Sequence, residues 1–331
     1  MSERPTLDDV AAEADVSSAT VSRYLNNPRV VAKATGEIIR AAIEKTGYIP
    51  NLLASELASS KSRLVAVLTP HLQDTIFNDT IEAMIEALSA TGINVMLGLT
   101  GNSPARADEL ITAAISRRAD AIITTGSITE HTAELVRRSK TVFIQMWDLP
   151  EKPIGIAVGF SHPAVGRELA RFVAKRGYQC PHLITANGQR AAMRRDAFLE
   201  EWKLLGGETP TEDAVDIPSR FGHGRGVFAR IRRLPRMPDV VICGSDYLAQ
   251  AIIVEAHAAN MRVPDDLAVI GFGNSSLAGE MRPTITTVEI DGRRIVREAI
   301  TAITAVRNQT VRTPAERIID VGFRLVARES A

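Results

Sequence analysis

The sequence predicts an α/β protein in which a small N-terminal helical unit precedes a core of two doubly wound, parallel-sheet subdomains. The first sixty residues contain short helical patterns separated by turns and no strand pattern. From residue 64 onward, short apolar runs alternate with amphipathic helical stretches. Such alternation is typical of parallel sheets covered by helices on both faces. The apolar runs outnumber the strands of one sheet of about five or six, so we expect two subdomains.

The composition excludes several classes of protein. The chain has 331 residues, 39 basic and 39 acidic side chains, 45% hydrophobic residues, two cysteines and six histidines. Cys180 and Cys243 stand alone and the histidines lack ligand spacing, so we expect no disulfide, no metal and no cofactor. No apolar stretch follows the N-terminal charges, and no run approaches the length of about 18 residues that a membrane span needs. We therefore expect a soluble, cytoplasmic protein.

The sequence of the N-terminal unit predicts three helices. Thr6 with Asp9 is typical of a capping box, and Ser17 is suited to cap the next helix. Gly47 is suited to end the third helix in the left-handed region. The predicted helices run over about Leu7–Ala14, from Ser17 to about Leu25, and over about Lys33–Thr46.

The core contains two successive sets of apolar runs. The predicted strands of the first are Leu64–Pro70, Asn94–Thr100, Ala121–Gly126, Thr141–Trp147 and Ile154–Phe160; those of the second are Pro181–Asn187, Asp239–Ser245 and Leu267–Gly273. Helices are predicted near Ile76–Thr91, Ala105–Arg117, His162–Arg176, Met193–Leu205 and Asp246–Asn260. Thr284–Ile290 and Ile318–Val326 are read as further strands that can return to the first subdomain. The expected domains are a headpiece 1–47, a linker 48–61 and a core 62–331, with subdomains at about 62–160 (joined by part of 290–331) and 161–289.

Two short helices joined by a tight turn are typical of a helix-turn-helix, whose second helix turns its N-terminal residues toward base edges in the major groove. The residues expected there are small ones that permit close approach, hydroxyls suited to phosphates, and a long cation suited to a guanine edge. In that order they are Ser18 and Ala19; Ser17, Thr20 and Ser22; and Arg23. An ordinary three-helix bundle is the alternative, and the charge of residues 1–60, six basic against eight acidic, does not favour DNA.

Longer matches resolve that alternative. The runs TLDDVA at 6–11, VS at 16–17, TVSR at 20–23 and GYIPN at 47–51 resemble the headpiece of the LacI/GalR family of bacterial transcription regulators. The likeness continues through the core at 239–249 and 263–272. The resemblance implies a periplasmic-binding-protein-like core, a pseudo-palindromic operator DNA, and an allosteric sugar or sugar-acid effector. It also implies a homodimer, because the chain ends shortly after its last predicted strand, without a tetramerising helix.

The resemblance further implies a hinge after Pro50 that becomes helical on operator DNA. Leu57 would wedge into the minor groove, and Ala54 would allow the two hinge helices to approach closely. The remaining expected DNA contacts are Thr6, Asn26, Arg29, Tyr48 and Asn51. Three features depart from the family. Ser18 and Ala19 are small, so direct readout there is expected to be weak or different, and Leu52 stands where an arginine is common, which removes one phosphate contact. Asp8 and Asp9 add acidity near the DNA face.

The core is expected to bind its effector between the subdomains, since ligands of open parallel sheets lie beyond the carboxyl ends of the strands. Polar and aromatic residues follow several predicted strands and suit a hydroxyl-rich ligand. They are His71, Gln73, Phe77, Thr124, Gln145, Trp147, Ser245, Asp246 and Asn274. Each is equally explained as a helix cap or turn residue, as Asp246 shows by preceding a predicted helix.

The resemblance places Arg194, four residues before Phe198, in this cleft. In many sugar-binding relatives an acidic residue occupies the position of Asn274. The absence of that carboxylate is expected to favour an anionic ligand in the pocket, because it removes a repelling charge. The segments 156–160 and 319–323 look especially like those of gluconate-operon repressors. The expected effector is therefore gluconate or a related aldonate, acting as inducer or corepressor.

Two other functions were weighed. A solute-binding protein for transport shares the core but needs an export signal and no residues 1–60. An enzyme would need a catalytic motif; the glycine-rich segment 222–226 lacks the spacing of a dinucleotide-binding loop, and no phosphate loop or nucleophile elbow is present. We expect no enzymatic activity.

Overall fold

The structure is a computed structural model that describes residues 5–49, 62–72, 75–126, 128–139, 141–308 and 316–331. The predicted hinge from residue 50 to 61, with Asn51, Ala54 and Leu57, lies outside the described residues, as does Gln73. The chain divides into two compact units, Met1–Ser62 and Arg63–Ala331.

The first unit is a bundle of short helices with its own apolar centre. Its elements are α1 (Leu7–Glu13), α2 (Ser18–Asn26), a 3₁₀ turn (Pro28–Val30) and α3 (Lys33–Thr46). Thr6 and Asp9 form the predicted capping box, Ser17 caps α2, and Gly47 ends α3 at φ 69°. Val10, Val21 and Ile39 are fully buried at the centre.

The second unit begins with five parallel strands separated by helices. In chain order these elements are β1 (Leu64–Thr69), α4 (Thr75–Ser89), β2 (Asn94–Leu99), α5 (Pro104–Ser116), β3 (Ala121–Thr124), α6 (Glu130–Ser139), β4 (Val142–Met146) and β5 (Ile156–Gly159). β3 and β5 are buried along their whole length, because helices cover both faces of the sheet.

The chain then builds a second sheet and returns. The next elements are α7 (His162–Lys175), β6 (Pro181–Ala186), α8 (Gln189–Leu204), β7 (Thr211–Val215), α9 (Phe221–Ile231), β8 (Val240–Cys243), α10 (Asp246–Ala258), β9 (Ala268–Ile270) and α11 (Ser276–Glu280). The last are β10 (Thr287–Glu289), α12 (Gly292–Arg307), β11 (Arg317–Asp320) and β12 (Arg324–Val326).

The strands assemble into two parallel sheets and one antiparallel pair. The larger sheet has the order β11-β5-β4-β3-β1-β2, and the smaller has the order β7-β6-β8-β9. β10 and β12 pair antiparallel, with Val288 opposite Leu325. The predicted α/β class with two parallel-sheet subdomains is therefore confirmed. Within the described ranges, no helix combines the length and apolar character needed to cross a membrane.

Several predicted elements need correction. The single strand expected over 318–326 is two strands, because the chain turns at Gly322 (φ 70°), so that β11 joins the larger sheet and β12 pairs with β10. The glycine-rich segment 222–226 lies inside α9, where Gly224 packs so closely on Ala251 that a Cβ would clash. The expectation included no elements corresponding to β7, α6, α11 or α12. α8 begins at Gln189, four residues before the predicted start.

Candidate functional site

The first turn of α2, with its N-cap, contains four of the thirteen residues expected to contact DNA, and Arg23 lies one turn further along the helix. The hydroxyl of Ser17 accepts a hydrogen bond from the Thr20 amide (3.2 Å) and lies 2.9 Å from the Thr20 hydroxyl. Ser18 Oγ donates to Asp8 Oδ1 at 2.5 Å, which joins α2 to α1. Ala19 and Arg23 are exposed on the same helix. This turn therefore presents hydroxyls, a small side chain and a cation on the surface.

The other expected DNA residues have mixed surroundings. The Thr6 hydroxyl is engaged by the capping box, donating to Asp9 Oδ2 at 2.8 Å. Tyr48 is half-buried against the apolar centre of the unit, whereas Arg29 is exposed in the 3₁₀ turn. Ser22 is half-buried in α2, and Asn26 is its last residue.

The core contains a cleft of about 640 Å³ at the carboxyl ends of the parallel strands. Loops that follow strands of the larger sheet contribute Pro70 and Trp147, and loops that follow strands of the smaller sheet contribute Gly188 and Gly244. The cleft therefore lies between the two subdomains, at the place where open parallel sheets bind ligands.

Six of the residues predicted for the effector line this cleft, and three do not. The six are His71, Phe77, Gln145, Trp147, Arg194 and Ser245. The three that lie elsewhere are Thr124, Asp246 and Asn274, and each has a structural role instead.

Thr124 is buried at the end of β3, where its hydroxyl accepts a hydrogen bond from the Gly126 amide at 3.1 Å. This side chain shapes the strand-to-loop turn, and the neighbouring Thr125 lines the cleft in its place.

Asp246 is 2% exposed and opens α10 behind the cleft. Its carboxylate accepts hydrogen bonds from the Ser275 amide (2.7 Å) and the Thr287 hydroxyl (2.5 Å). Burial raises the pKa of this carboxyl above its ordinary value, against those hydrogen bonds. Asp246 therefore ties α10 to the segment before α11 and to β10, while Ser245 caps α10 and faces the cleft.

Asn274 was expected to favour an anion by replacing an acid in the cleft. Its amide instead donates to Glu289 Oε1 at 2.9 Å and its oxygen accepts from Arg328 at 2.6 Å. These long-range contacts engage both ends of the Asn274 side chain, and Asn274 is not among the residues that line the cleft.

The structure adds a second arginine that was missed in the sequence. Arg190 lines the cleft from the first turn of α8, and its guanidinium lies 3.3 Å from Asp148 Oδ2 and 3.3 Å from the Met146 carbonyl oxygen. Asp148 and Met146 belong to the β4 end of the larger sheet, so Arg190 crosses the cleft. Gly188 as N-cap was the sequence signal that could have extended the helix to this residue.

A second contact also crosses the cleft. Asn102, in the loop after β2, donates from Nδ2 to the Ile217 carbonyl oxygen at 3.3 Å, and its Oδ1 lies 3.0 Å from His71 Nε2. Ile217 follows β7 of the smaller sheet. Arg190 and Asn102 therefore both connect the two subdomains across the cleft.

Arg194 is held by a buried histidine. Its Nη1 donates to His162 Nδ1 at 2.9 Å, and His162 Nε2 donates to the Trp147 carbonyl oxygen at 3.0 Å, a pattern that assigns the neutral imidazole. Burial, followed by the positive charges of Arg194 and Arg190, lowers the pKa of His162 to about 3. The Arg194 guanidinium carbon also lies 4.2 Å from the centre of the Phe272 ring.

Trp147 forms one wall of the cleft with two phenylalanines. Its ring centre lies 5.2 Å from that of Phe77 and 6.2 Å from that of Phe160, with both pairs edge to face. Its backbone has φ 70°, a region that non-glycine residues rarely adopt, and its amide is fixed by Val158 at 2.9 Å. The wall is therefore rigidly placed beside the two arginines.

Comparison with known proteins gives these sites a context. Residues 6–51 match the family described as bacterial regulatory proteins, lacI family, and residues 170–331 match a periplasmic binding protein-like domain. The HTH-type transcriptional regulator GntR of Pseudomonas aeruginosa is 31% identical over 332 residues, which cover 99% of this chain and 96% of that protein. The regulator of the same name from Escherichia coli K12 is 28% identical over 324 residues, 97% of each chain.

Two solved structures superpose on this chain over nearly its full length. A LacI-family transcriptional regulator from Silicibacter pomeroyi superposes with a TM-score of 0.90 at 25% identity, covering 98% of this chain and 99% of that one. The lac repressor dimer bound to operator and the anti-inducer ONPF superposes with a TM-score of 0.83 at 21% identity, covering 99% of each chain, which shows the shared fold. The chain therefore belongs to the lacI family of bacterial regulatory proteins and is a DNA-binding transcriptional regulator.

Proposed function

We propose that the protein is a homodimeric repressor whose affinity for operator DNA is controlled by a sugar acid, gluconate or a related aldonate, bound in the cleft of the core. One observation carries the choice of effector. Arg190 and Arg194 stand one turn apart on α8 and both line the cleft. Residues four apart share a helix face, so the two guanidinium groups converge on the same space.

Guanidinium groups favour a carboxylate because they donate parallel hydrogen bonds to its two oxygens. Asp148 already provides a carboxylate to Arg190, which supports the choice of a carboxylate ligand on this side of the cleft. Arg194 lies against Phe272 and the neutral His162, and such apolar surroundings strengthen its attraction for an anion. A carboxylate bound here would lie in the same cleft as the Trp147 wall.

The rest of the cleft suits a polyhydroxy chain. Amide and hydroxyl side chains line it beside the aromatic wall, namely Asn102, Thr125, Gln145, Ser219 and Ser245. A volume of about 640 Å³ lies within the range usual for small-molecule sites. A six-carbon sugar acid satisfies both parts, with its carboxylate at the arginines and its hydroxyls along the polar lining. The resemblance to gluconate-operon repressors supports the same choice.

The homodimer is supported by exposed apolar residues on both subdomains. Leu97 and Leu99 are exposed on β2, the edge strand of the larger sheet. Tyr247 and Val254 on α10, with Leu277 on α11, are exposed on the smaller subdomain. Apolar surfaces of this kind mark interaction sites, and a two-fold dimer would cover both while matching a pseudo-palindromic operator.

The proposed operator contacts are the first turn of α2 with Arg23 at the bases, Arg29 at a phosphate, and the hinge from residue 50 to 61 in the minor groove. Closure of the cleft would change the position of the hinge and thereby the DNA affinity, and couplings of this kind are typically about 1–3 kcal/mol.

The effector is tested by isothermal titration calorimetry with three ligands of similar size: gluconate, glucose and the neutral polyol sorbitol. We expect binding of gluconate alone, and a large loss of affinity in Arg190→Gln and in Arg194→Gln. Arg195→Gln is the matched control, because Arg195 is bound to Asp196 at 2.6 Å and does not line the cleft. Binding of glucose without gluconate would contradict the proposal.

The regulatory link is tested by a mobility-shift assay with operator DNA at increasing gluconate. A change in DNA affinity is expected in one direction for wild type, and no change is expected for Arg194→Gln. If saturating gluconate leaves the affinity for operator DNA unchanged, ligand binding in the cleft is not coupled to DNA binding, and the regulatory link is refuted.

A further inference from the structure

An acidic side chain is hydrogen-bonded to the first residue of α2, the second helix of the helix-turn-helix. Asp8 is exposed in the first turn of α1, and its Oδ1 accepts the hydroxyl hydrogen of Ser18 at 2.5 Å. Ser18 is the first residue of α2. The contact joins residues ten positions apart, so it depends on the packing of α1 against α2. The Asp8 carboxylate therefore shares the surface of the α2 N-terminus.

Its neighbour Asp9 has a different role. Asp9 accepts hydrogen bonds from the amide and hydroxyl of Thr6 at 2.7 and 2.8 Å and completes the capping box of α1. Asp8 takes no part in that cap. Of the two acids noted near the DNA face, Asp8 is the one that contacts the first residue of α2, whereas Asp9 is held by Thr6 at the start of α1.

In a helix-turn-helix, the N-terminal residues of the second helix face base edges. A carboxylate at this place repels phosphates and reduces affinity for DNA of any sequence. It favours a sequence only where a base offers it a hydrogen-bond donor, because an ionised carboxylate is purely an acceptor.

We propose that Asp8, oriented by Ser18, reads a cytosine in the major groove, one for each headpiece bound. The major groove offers two kinds of amino donor, N4 of cytosine and N6 of adenine. Adenine places the acceptor N7 beside its amino group, which would repel the second carboxylate oxygen, whereas cytosine has no acceptor there. Ser18 gives its proton to Asp8, so its outward lone pairs strengthen the preference for an amino group.

Asn at the same position would reverse this preference. A carboxamide has both a donor and an acceptor, and it pairs bidentately with N7 and N6 of adenine. Its Oδ1 can still accept the hydrogen bond from Ser18, so the contact between α1 and α2 is kept. Asp8→Asn is therefore a variant that changes the chemistry of readout and preserves the local fold.

A purely structural role makes a different prediction. If the Asp8–Ser18 hydrogen bond only fastens α1 to α2, or if Asp8 only complements the helix dipole, removing the carboxylate alters stability or overall affinity but leaves every base preference unchanged.

The experiment is selection of bound sequences from a random double-stranded library by the full-length protein, with and without gluconate. We expect wild type to select cytosine at one position per half-site, about tenfold over other bases. In Asp8→Ala this preference falls below about twofold while the other positions keep theirs. In Asp8→Asn, the same position changes to adenine.

Glu44→Gln is the matched control, because Glu44 is exposed on α3 and the change removes the same charge. It is expected to select the wild-type sequence. Circular dichroism of each variant checks that the helices are intact. If Asp8→Ala and Asp8→Asn, both folded, select the wild-type sequence with a uniform gain of affinity, the readout role of Asp8 is overturned.

Discussion

The DNA-facing surface of the headpiece and the cleft of the core are both built from polar side chains, but in opposite ways. On the headpiece, Asp8, Ser17 and Arg23 are exposed, and the hydrogen bonds among the polar groups join residues three to ten positions apart. In the cleft, the contacts of His162 and the two arginines join residues 15 to 44 positions apart.

The difference determines how each region responds to its surroundings. Exposed charges act through water and are screened by salt, so the headpiece should depend strongly on ionic strength. Buried groups are screened much less and have shifted pKa values, so the cleft should depend on pH and on the loss of single partners. The headpiece unit also contains no histidine.

The largest effect is expected from His162. Its pKa is about 3 in the fold and 6.5 in its ordinary state, so the folded protein binds fewer protons between those pH values. The contribution of His162 to the free energy of unfolding should therefore be fully present above pH 6.5 and decrease as the pH falls. The expected loss at pH 4.5 is about 3 kcal/mol. Urea unfolding at pH 7.5 and 4.5 measures this loss.

The variant His162→Gln should lose less stability over the same interval. Burial also lowers the pKa of His182, so part of the acid sensitivity should remain. His131→Gln is the control, since His131 is exposed on α6, and it should behave as wild type. An unchanged loss in His162→Gln would show that the neutral imidazole contributes nothing to acid sensitivity.

The next effect tests the headpiece through Arg23. Arg23→Ala should cost about 1–3 kcal/mol of operator affinity, the scale of a bidentate base contact, and reduce the preference for operator over random DNA. Arg29→Ala, at the proposed phosphate contact, should weaken both complexes equally and reduce their salt dependence. Fluorescence anisotropy at several salt concentrations separates the two. Equal losses on operator and random DNA in Arg23→Ala would exclude a base contact.

The same contrast explains what the sequence could predict. The capping box at Thr6, the Ser17 cap and the Gly47 helix end are local signals, and the structure has all three. The contact of the Asn274 side chain with Arg328, 54 residues further along, was not predicted. Local patterns could not show such a contact.

Two further failures have related causes. Arg190 was missed because the start of α8 was placed four residues late, which left this arginine in a loop. β7 was missed because it is an edge strand with the sequence TEDAV, mostly exposed and without an apolar run. Buried strands such as β1 and β3 were found, because burial on both faces imposes the apolar runs that the sequence shows.

A smaller effect is expected from the carboxylate that pairs with Arg190. Asp148→Asn removes the charge that competes with a bound carboxylate, so the affinity for gluconate should rise by up to about tenfold, or about 1.4 kcal/mol. Calorimetry measures it, with Glu151→Gln at the exposed rim of the cleft as the control. A loss of affinity in Asp148→Asn would mean that this carboxylate orients Arg190 for the ligand instead of competing with it.

The smallest effect is expected from two serine helix caps of the same kind, one in the headpiece and one in the core. Ser17 Oγ accepts from the amide three residues ahead at 3.2 Å, and Ser161 Oγ does the same at the start of α7, also at 3.2 Å. Each alanine variant should cost about 1 kcal/mol, seen as about fivefold faster hydrogen exchange in its own helix. Ser17→Thr and Ser161→Thr keep a capping hydroxyl and should restore most of the protection. Because a cap is a contact between residues three apart, its contribution to stability should depend little on whether the helix lies in the headpiece or in the core. A several-fold larger loss of stability in Ser161→Ala than in Ser17→Ala would show that the long-range contacts of the core also affect its helix ends.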